Sequence, residues 1–231
     1  MIIGIIGAME EEVAVLKESM NIEETVEYAS MQFCKGVLCG KNVVVVRSGI
    51  GKVNAAICAQ VLVDKFHIDI LINTGIAGSL DAAIDIGDMV ISTDLVEHDM
   101  YATIFGDPLG QVPRMDTFSF PADPVLVEKA VKANEEANSE IQTFVGRIVS
   151  GDQFVSSSEV KEKLVKNFQA KCTEMEGAAI AHAAYLNKVS CVIIRAISDK
   201  ADNSATMDYP TFEKQAIERS VKLVHNLLPR L

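Results

Sequence analysis

Basic residues are in short supply in this chain of 231 residues: 21 Lys and Arg stand against 32 Asp and Glu, giving a formal net charge of −11. Nucleic acid and anionic membrane surfaces both demand a positive footprint, so this balance excludes them as main partners and favours a small-molecule ligand. No uncharged run approaches the roughly 18 residues that a membrane span requires. The apolar start, "MIIGIIGAM", has no basic leader and runs straight into Glu10, Glu11 and Glu12. It reads as a first strand and not as a signal peptide.

Paired metal or redox motifs are missing too. The five cysteines (Cys34, Cys39, Cys58, Cys172 and Cys191) are odd in number and make no C-x-x-C, which predicts reduced thiols and a cytoplasmic protein. The four histidines are scattered and form no H-E-x-x-H, so no metal is expected. "SGIGKVN" (Ser48–Asn54) looks like a phosphate loop but is not one. A P-loop needs glycine where Val46 stands, and the dinucleotide pattern needs it where Asn54 stands. What remains is a tight strand-to-helix turn that either only turns or also contacts a ligand. No repeat and no linker interrupts the chain, which reads as one domain over residues 1–231.

What is present is a large apolar fraction, 49%, arranged as short Val/Ile-rich runs alternating with helical patterns. Strands are expected at Ile2–Ile6, Val43–Arg47, Ile68–Asn73, Met89–Leu95, Ile141–Ser150 and over the run from Cys191. Helices are expected at Glu10–Ser19, from Gly51 to Phe66, and at Pro124–Asn134, where Asp123 caps and Pro124 takes the first position. Further helices are expected at Glu159–Asn167, Gly177–Leu186 and Thr211–Leu228. Strands that are nearly all apolar require cover on both faces, hence a mostly parallel sheet between helices. "NTGIAGSL" (Asn73–Leu80) reads as a close bend at a strand's carboxyl end, where ligands gather in open α/β sheets. The irregular segment Asp99–Ala122 is long enough to expect a functional or interface role.

Carboxylates carry most of the chemical signal. Glu10, Glu11 and Glu12 open a helix, where acids ordinarily complement the dipole. At helical spacing they cannot all face one way, and at least one must point back at the strand end. "TEMEGAAIAH" sets Glu174 and Glu176 two apart before an alanine-rich helix. In "IIRAISDKAD" an apolar strand ends in Arg195, Ser198 and Asp199, and an ion pair between Arg195 and Asp199 is the plain structural alternative to a catalytic role. Several carboxylates at strand ends, with no Ser/His or Cys/His pair, suit hydrolysis of a glycosidic bond, one acting as acid and one activating water.

The blocks "IGIIGAMEEEV", "SGIGKVNAA", "INTGIAGSL", "SGDQFV", "EMEGAAIAH" and "IRAISDKAD" occur in the order and spacing of the 5′-methylthioadenosine/S-adenosylhomocysteine nucleosidases. The chain resembles that family along nearly its whole length. The resemblance implies a three-layer α/β/α fold with a central mixed, mostly parallel twisted sheet of the phosphorylase/hydrolase kind. It also implies a homodimer, no cofactor, and release of adenine from a nucleoside substrate.

By the same resemblance Glu12 matches the base that activates water, and Asp199 the acid that protonates adenine. Glu176 matches the residue that binds the ribose hydroxyls, with Met175 lining the sugar pocket. Phe154 matches the ring stacked on adenine, Val155 the backbone that reads its edge, and Gly78 a ligand-contacting glycine. Ser198 would orient Asp199, and Arg195 would fix the carboxylates around it. Met9, Ile50 and Tyr209 match the wall of the alkylthio end, while Phe105 and Pro113 match residues that reach the neighbouring subunit's site. Ile76, Gln153 and Tyr209 depart from common family residues and bear on substrate preference. A phosphorylase using phosphate and a non-catalytic nucleoside-binding protein are the two competing readings.

Overall fold

The computed structural model describes residues 1–231. In chain order its elements are β1 (Ile2–Gly7), α1 (Glu10–Ser19), β2 (Asn21–Tyr28), β3 (Met31–Leu38), β4 (Lys41–Arg47), α2 (Lys52–Phe66), β5 (Ile70–Ser79), β6 (Met89–Glu97), β7 (Phe120–Pro121), α3 (Pro124–Ala137), β8 (Thr143–Ser150), α4 (Ser158–Phe168), β9 (Cys172–Glu174), α5 (Gly177–Asn187), β10 (Ser190–Asp199) and α6 (Ala205–Leu227). All ten strands join one mixed sheet. Its centre is parallel, β4–β1–β5–β10, as the unbroken apolar runs require.

The sheet also closes on itself. β5 pairs with β10 on one side and β9 on the other, and β6 and β8 complete a ring of five strands. Beyond that ring an open wing runs through β1, β4, β3 and β2. Helices α2 and α5 pack one face of the sheet around residues such as Phe33, Leu62 and Ile193. α1, α3 and α6 cover the other face around Ile5, Ile194 and Val224. Each fully buried Ile, Leu or Phe contributes about 1.5–3 kcal/mol, and this large double-sided core holds the layers together. No helix is long and apolar enough to cross a membrane.

Local chemistry explains the boundaries. Asp123 caps α3 by accepting from the amides of Val125 (2.8 Å) and Leu126 (3.2 Å), with Pro124 at the first position, as its sequence indicates. α2 stops at His67 and α4 at Gln169, each in the left-handed conformation that closes a helix. α6 begins six residues before the expected Thr211 and carries Pro210 inside it. Pro210 is the sixth residue of α6, so the helix gives up one backbone hydrogen bond in its second turn.

Four strands escaped the pattern altogether: β2, β3 and the very short β7 and β9. β2 is an edge strand, exposed along most of its length, so no buried face marks it. It joins β3 through Ala29 and Ser30, both at positive φ (51° and 60°), without the Asn-Gly or Asp-Gly pair that usually announces such a hairpin.

Candidate active site

A cavity of about 220 Å³ opens at the carboxyl ends of the central strands. Its wall includes Met9, Glu12, Ile50, Gly78, Phe154, Met175, Glu176, Ser198, Asp199 and Tyr209, ten of the positions singled out from sequence. Val155 is buried beside it, on a small annex that also touches Gln153, Phe154 and Asp199. Arg195 does not reach the wall. Phe105 and Pro113 lie off the pocket, exposed on the long segment before β7.

Glu12 sits in the first turn of α1, and its side chain turns back to the end of β1. One oxygen accepts from the amides of Ala8 (2.6 Å) and Met9 (3.0 Å), the other from Ile76 on β5 (3.3 Å). Burial pushes its pKa up, while the nearby Arg195 charge and the three amides pull it back. This is the member of the Glu10–Glu12 trio that points inward, and Glu10 and Glu11 remain exposed.

Asp199 ends β10. Its oxygens accept from the Ala201 amide (2.8 Å) and the Ser198 hydroxyl (2.9 Å). The β10–β5 pairing slips between Ile197 and Asp199, and such a bulge re-aims a side chain at the strand's end. Burial raises the Asp199 pKa, and Asp208 and Asp202 add to the rise. No guanidinium or ammonium bonds it.

The ion pair imagined between Arg195 and Asp199 is absent. Arg195 is fully buried and pairs with Glu174, while also donating to the Asn73 side chain (2.5 Å) and the Ile194 carbonyl (3.0 Å). Arg195 turns instead to Glu174, which collects four donors. These are Arg195, the Ser150 hydroxyl, and the amides of Glu176 (3.1 Å) and Gly177 (2.7 Å) at the start of α5. Glu174 also touches the cavity wall, as do Ala8, Ile76, Ala77 and Thr173; of these, Glu174 and Ile76 had been singled out from sequence. The short reach from Glu174 to the amides of a helix start was legible as a capping pattern. Its pairing with Arg195 across two strands was not.

Glu176 accepts from the Gly51 amide (2.8 Å). Burial, and after it the Glu174 charge, lifts its pKa to about 7. The Gly49 and Gly51 turn that supplies this amide holds φ values of 84° and 96°, which only glycine adopts readily. "SGIGKVN" is therefore a tight, glycine-dependent turn that also holds a site carboxylate.

"NTGIAGSL" behaves differently from expectation. β5 runs on through Ser79, and neither Gly75 nor Gly78 has positive φ. Their glycines are a matter of space. A Cβ on Gly75 would lie 2.5 Å from Glu12 Oε1, and one on Gly78 would lie 2.7 Å from Asp199 Oδ1. Each glycine thus admits one carboxylate against the same strand.

The open end is apolar. Phe154 and Tyr209 meet edge to face with centroids 5.7 Å apart, and Phe154 stays 45% exposed, leaving a ring face free for a flat ligand. The Tyr209 hydroxyl lies 3.0 Å from Glu213 and 3.4 Å from the Met9 sulfur. The wall holds four carboxylates and no basic side chain.

With this geometry in view, comparison with known proteins gives a consistent result. Residues 2–229 match the model of the phosphorylase superfamily. The chain is 43% identical to the 5′-methylthioadenosine/S-adenosylhomocysteine nucleosidase of Staphylococcus aureus (strain MRSA252), over 99% of this chain and all of that one. It is also similar to the solved structure of the nucleosidase of that name from Neisseria meningitidis in complex with methylthio-immucillin-A (40% identity, TM-score 0.95, 100% of this chain and 99% of that one). The corresponding Colwellia psychrerythraea nucleosidase, solved with adenine, gives 40% identity and a TM-score of 0.96 over 100% of this chain and 96% of that one.

Proposed function

The chain belongs to the phosphorylase superfamily and, within it, to the 5′-methylthioadenosine/S-adenosylhomocysteine nucleosidases, and from that premise we propose how its pocket works. It is an N-glycosyl hydrolase acting on 5′-methylthioadenosine and S-adenosylhomocysteine. The observation that carries the mechanism is the division of the carboxylates. Glu12 is held by amides near a guanidinium, and Asp199 is buried with no cation on the same cavity.

Water attacks the anomeric carbon as the bond to adenine N9 breaks, and Glu12 takes the water's proton. The bonding electrons pass to the base, and Asp199 gives a proton to N7, so adenine leaves neutral. The other product is the 5-thioribose derivative. Burial shifts the Asp199 pKa upward, the direction that favours the protonated acid this step requires. Glu176 and Met175 take the ribose, Phe154 stacks on adenine beside the Val155 backbone, and Ser198 orients Asp199. Met9, Ile50 and Tyr209 enclose the 5′ substituent, an apolar end that also suits 5′-deoxyadenosine. These reactions would serve methionine salvage in the cytoplasm.

Measuring adenine release with and without phosphate tests the reading. Turnover in phosphate-free buffer with a free reducing sugar is expected, whereas strict phosphate dependence and ribose-1-phosphate would make the chain a phosphorylase. Binding without turnover would make it a binding protein. The lack of any basic residue on the wall supports the hydrolase.

A homodimer is part of the proposal. Exposed apolar side chains gather on α2 and α5 (Val53, Ile57 and Leu186), and Tyr101, Ile104 and Phe105 project from the nearby long segment. Such a patch suits a second copy of this chain, with Phe105 and Pro113 closing the partner's pocket. Truncating Phe105 to alanine is expected to raise KM several-fold with kcat little changed. Unchanged kinetics would remove the shared-site reading.

A further inference from the structure

Outside the pocket wall, one polar cluster ties the end of β6 to two of the segments that build it. Lys52 begins α2 directly after the Gly49–Gly51 turn. Its ammonium bonds Asp99 (2.6 Å) and Glu97 (3.0 Å), both at the end of β6. Its backbone amide donates to Asp152 Oδ1 (2.8 Å), and the Asp152 amide donates in turn to Asp99 Oδ2 (2.9 Å). Lys52, Asp152 and Asp99 therefore close a circuit of hydrogen bonds. Glu97 extends it to His182 on α5 (3.0 Å).

Both exits from this circuit lead to the ligand. One residue before Lys52, the Gly51 amide holds Glu176. Two residues after Asp152 comes Phe154, the partly exposed aromatic wall. We propose that Lys52 is a positioning residue for nucleoside binding, its ammonium fixing both the glycine turn that supports Glu176 and the Asp152 turn that carries Phe154. The assignment rests on the nucleosidase reading above. Without the ammonium, Glu97 and Asp99 face each other as like charges near the chain turn they now anchor, and the repulsion opens the circuit. The two catalytic carboxylates hang on other elements, α1 and β10, and keep their partners.

The test compares wild type with Lys52→Met, Lys52→Arg and Asp99→Asn. Steady-state kinetics on methylthioadenosine, equilibrium adenine affinity and thermal unfolding are read for each. Lys52→Met is expected to raise both KM and the adenine Kd about tenfold while kcat stays within about threefold, because a displaced wall weakens binding more than chemistry. Lys52→Arg keeps the charge and is expected to stay within about threefold of wild type on both affinities. A folded Lys52→Met protein with wild-type KM and adenine Kd overturns the proposal, as does a fall in Tm or kcat alone. If Lys52→Met does not fold, Asp99→Asn is held to the same criteria. A wild-type protein that released no adenine would remove the nucleosidase reading, and the adenine affinities would still decide the role of Lys52.

Discussion

At the sugar end of the pocket Glu12, Glu174 and Glu176 gather around the single guanidinium of Arg195, while at the base end Asp199 is buried with only a hydroxyl and an amide. Desolvation acts on both ends in the same direction. What differs is the compensation: a guanidinium and three amides offset part of the rise at Glu12, while Asp199 has no cation beside it. In the mechanism proposed above, this one buried arginine is what would set two acids of similar intrinsic strength to opposite duties.

The comparison can be broken most severely at its two poles. Asp199→Asn and Glu12→Gln are each expected to lower kcat by roughly 10³-fold or more while adenine still binds, and near-normal turnover in either would refute its role. Arg195→Met comes next. It leaves the buried Glu174 without its partner, and urea denaturation is expected to show a loss of about 3–5 kcal/mol; a protein as stable as wild type would mean that the pair contributes nothing to the fold.

Adding a methyl group at Gly78 forces Asp199 aside and is expected to cost roughly 10²-fold in kcat. Gly75→Ala should do the same through Glu12. Equal activity in both variants would show that the carboxylates move freely.

The smallest effect sharpens the sugar end. Glu176 has a folded pKa of about 7 against an ordinary 4.5. Raised above its unfolded value, it contributes stability fully present below about pH 4.5 and lost as pH climbs through 7. Glu176→Gln escapes that loss, so it should melt higher than wild type at pH 8 and show no advantage at pH 4.5. A lower Tm at pH 8 would contradict the assignment.

The sequence made the central strands, the α3 cap and most of the pocket wall legible, because burial period and capping chemistry are local properties. Arg195 shows where locality ends. Its neighbours in the chain suggested Asp199, yet its partner comes from β9, brought beside it only by the closing of the sheet. The glycines of "NTGIAGSL" teach a related lesson. Glycine in a strand permits either a bend or a close approach, and only the carboxylates packed against Gly75 and Gly78 tell which. Glu174 repeats the lesson: two of its donors are the nearby amides at the start of α5, while Ser150 and Arg195 come from distant strands.

The edge strand β2 has a consequence for how the molecule behaves in quantity. Most of the sheet's strands are covered by neighbours, but β2 offers a free row of backbone donors and acceptors on which another copy could build. Glu23, Glu24 and Glu27 stand exposed along it. Repulsion between these acids keeps one edge from docking on the next. The isoelectric point is about 4.8, so net repulsion between whole molecules vanishes in mild acid. Concentrated stocks should cloud first there, through sheet-to-sheet growth at this rim, and a lysine placed on β2 would move the threshold.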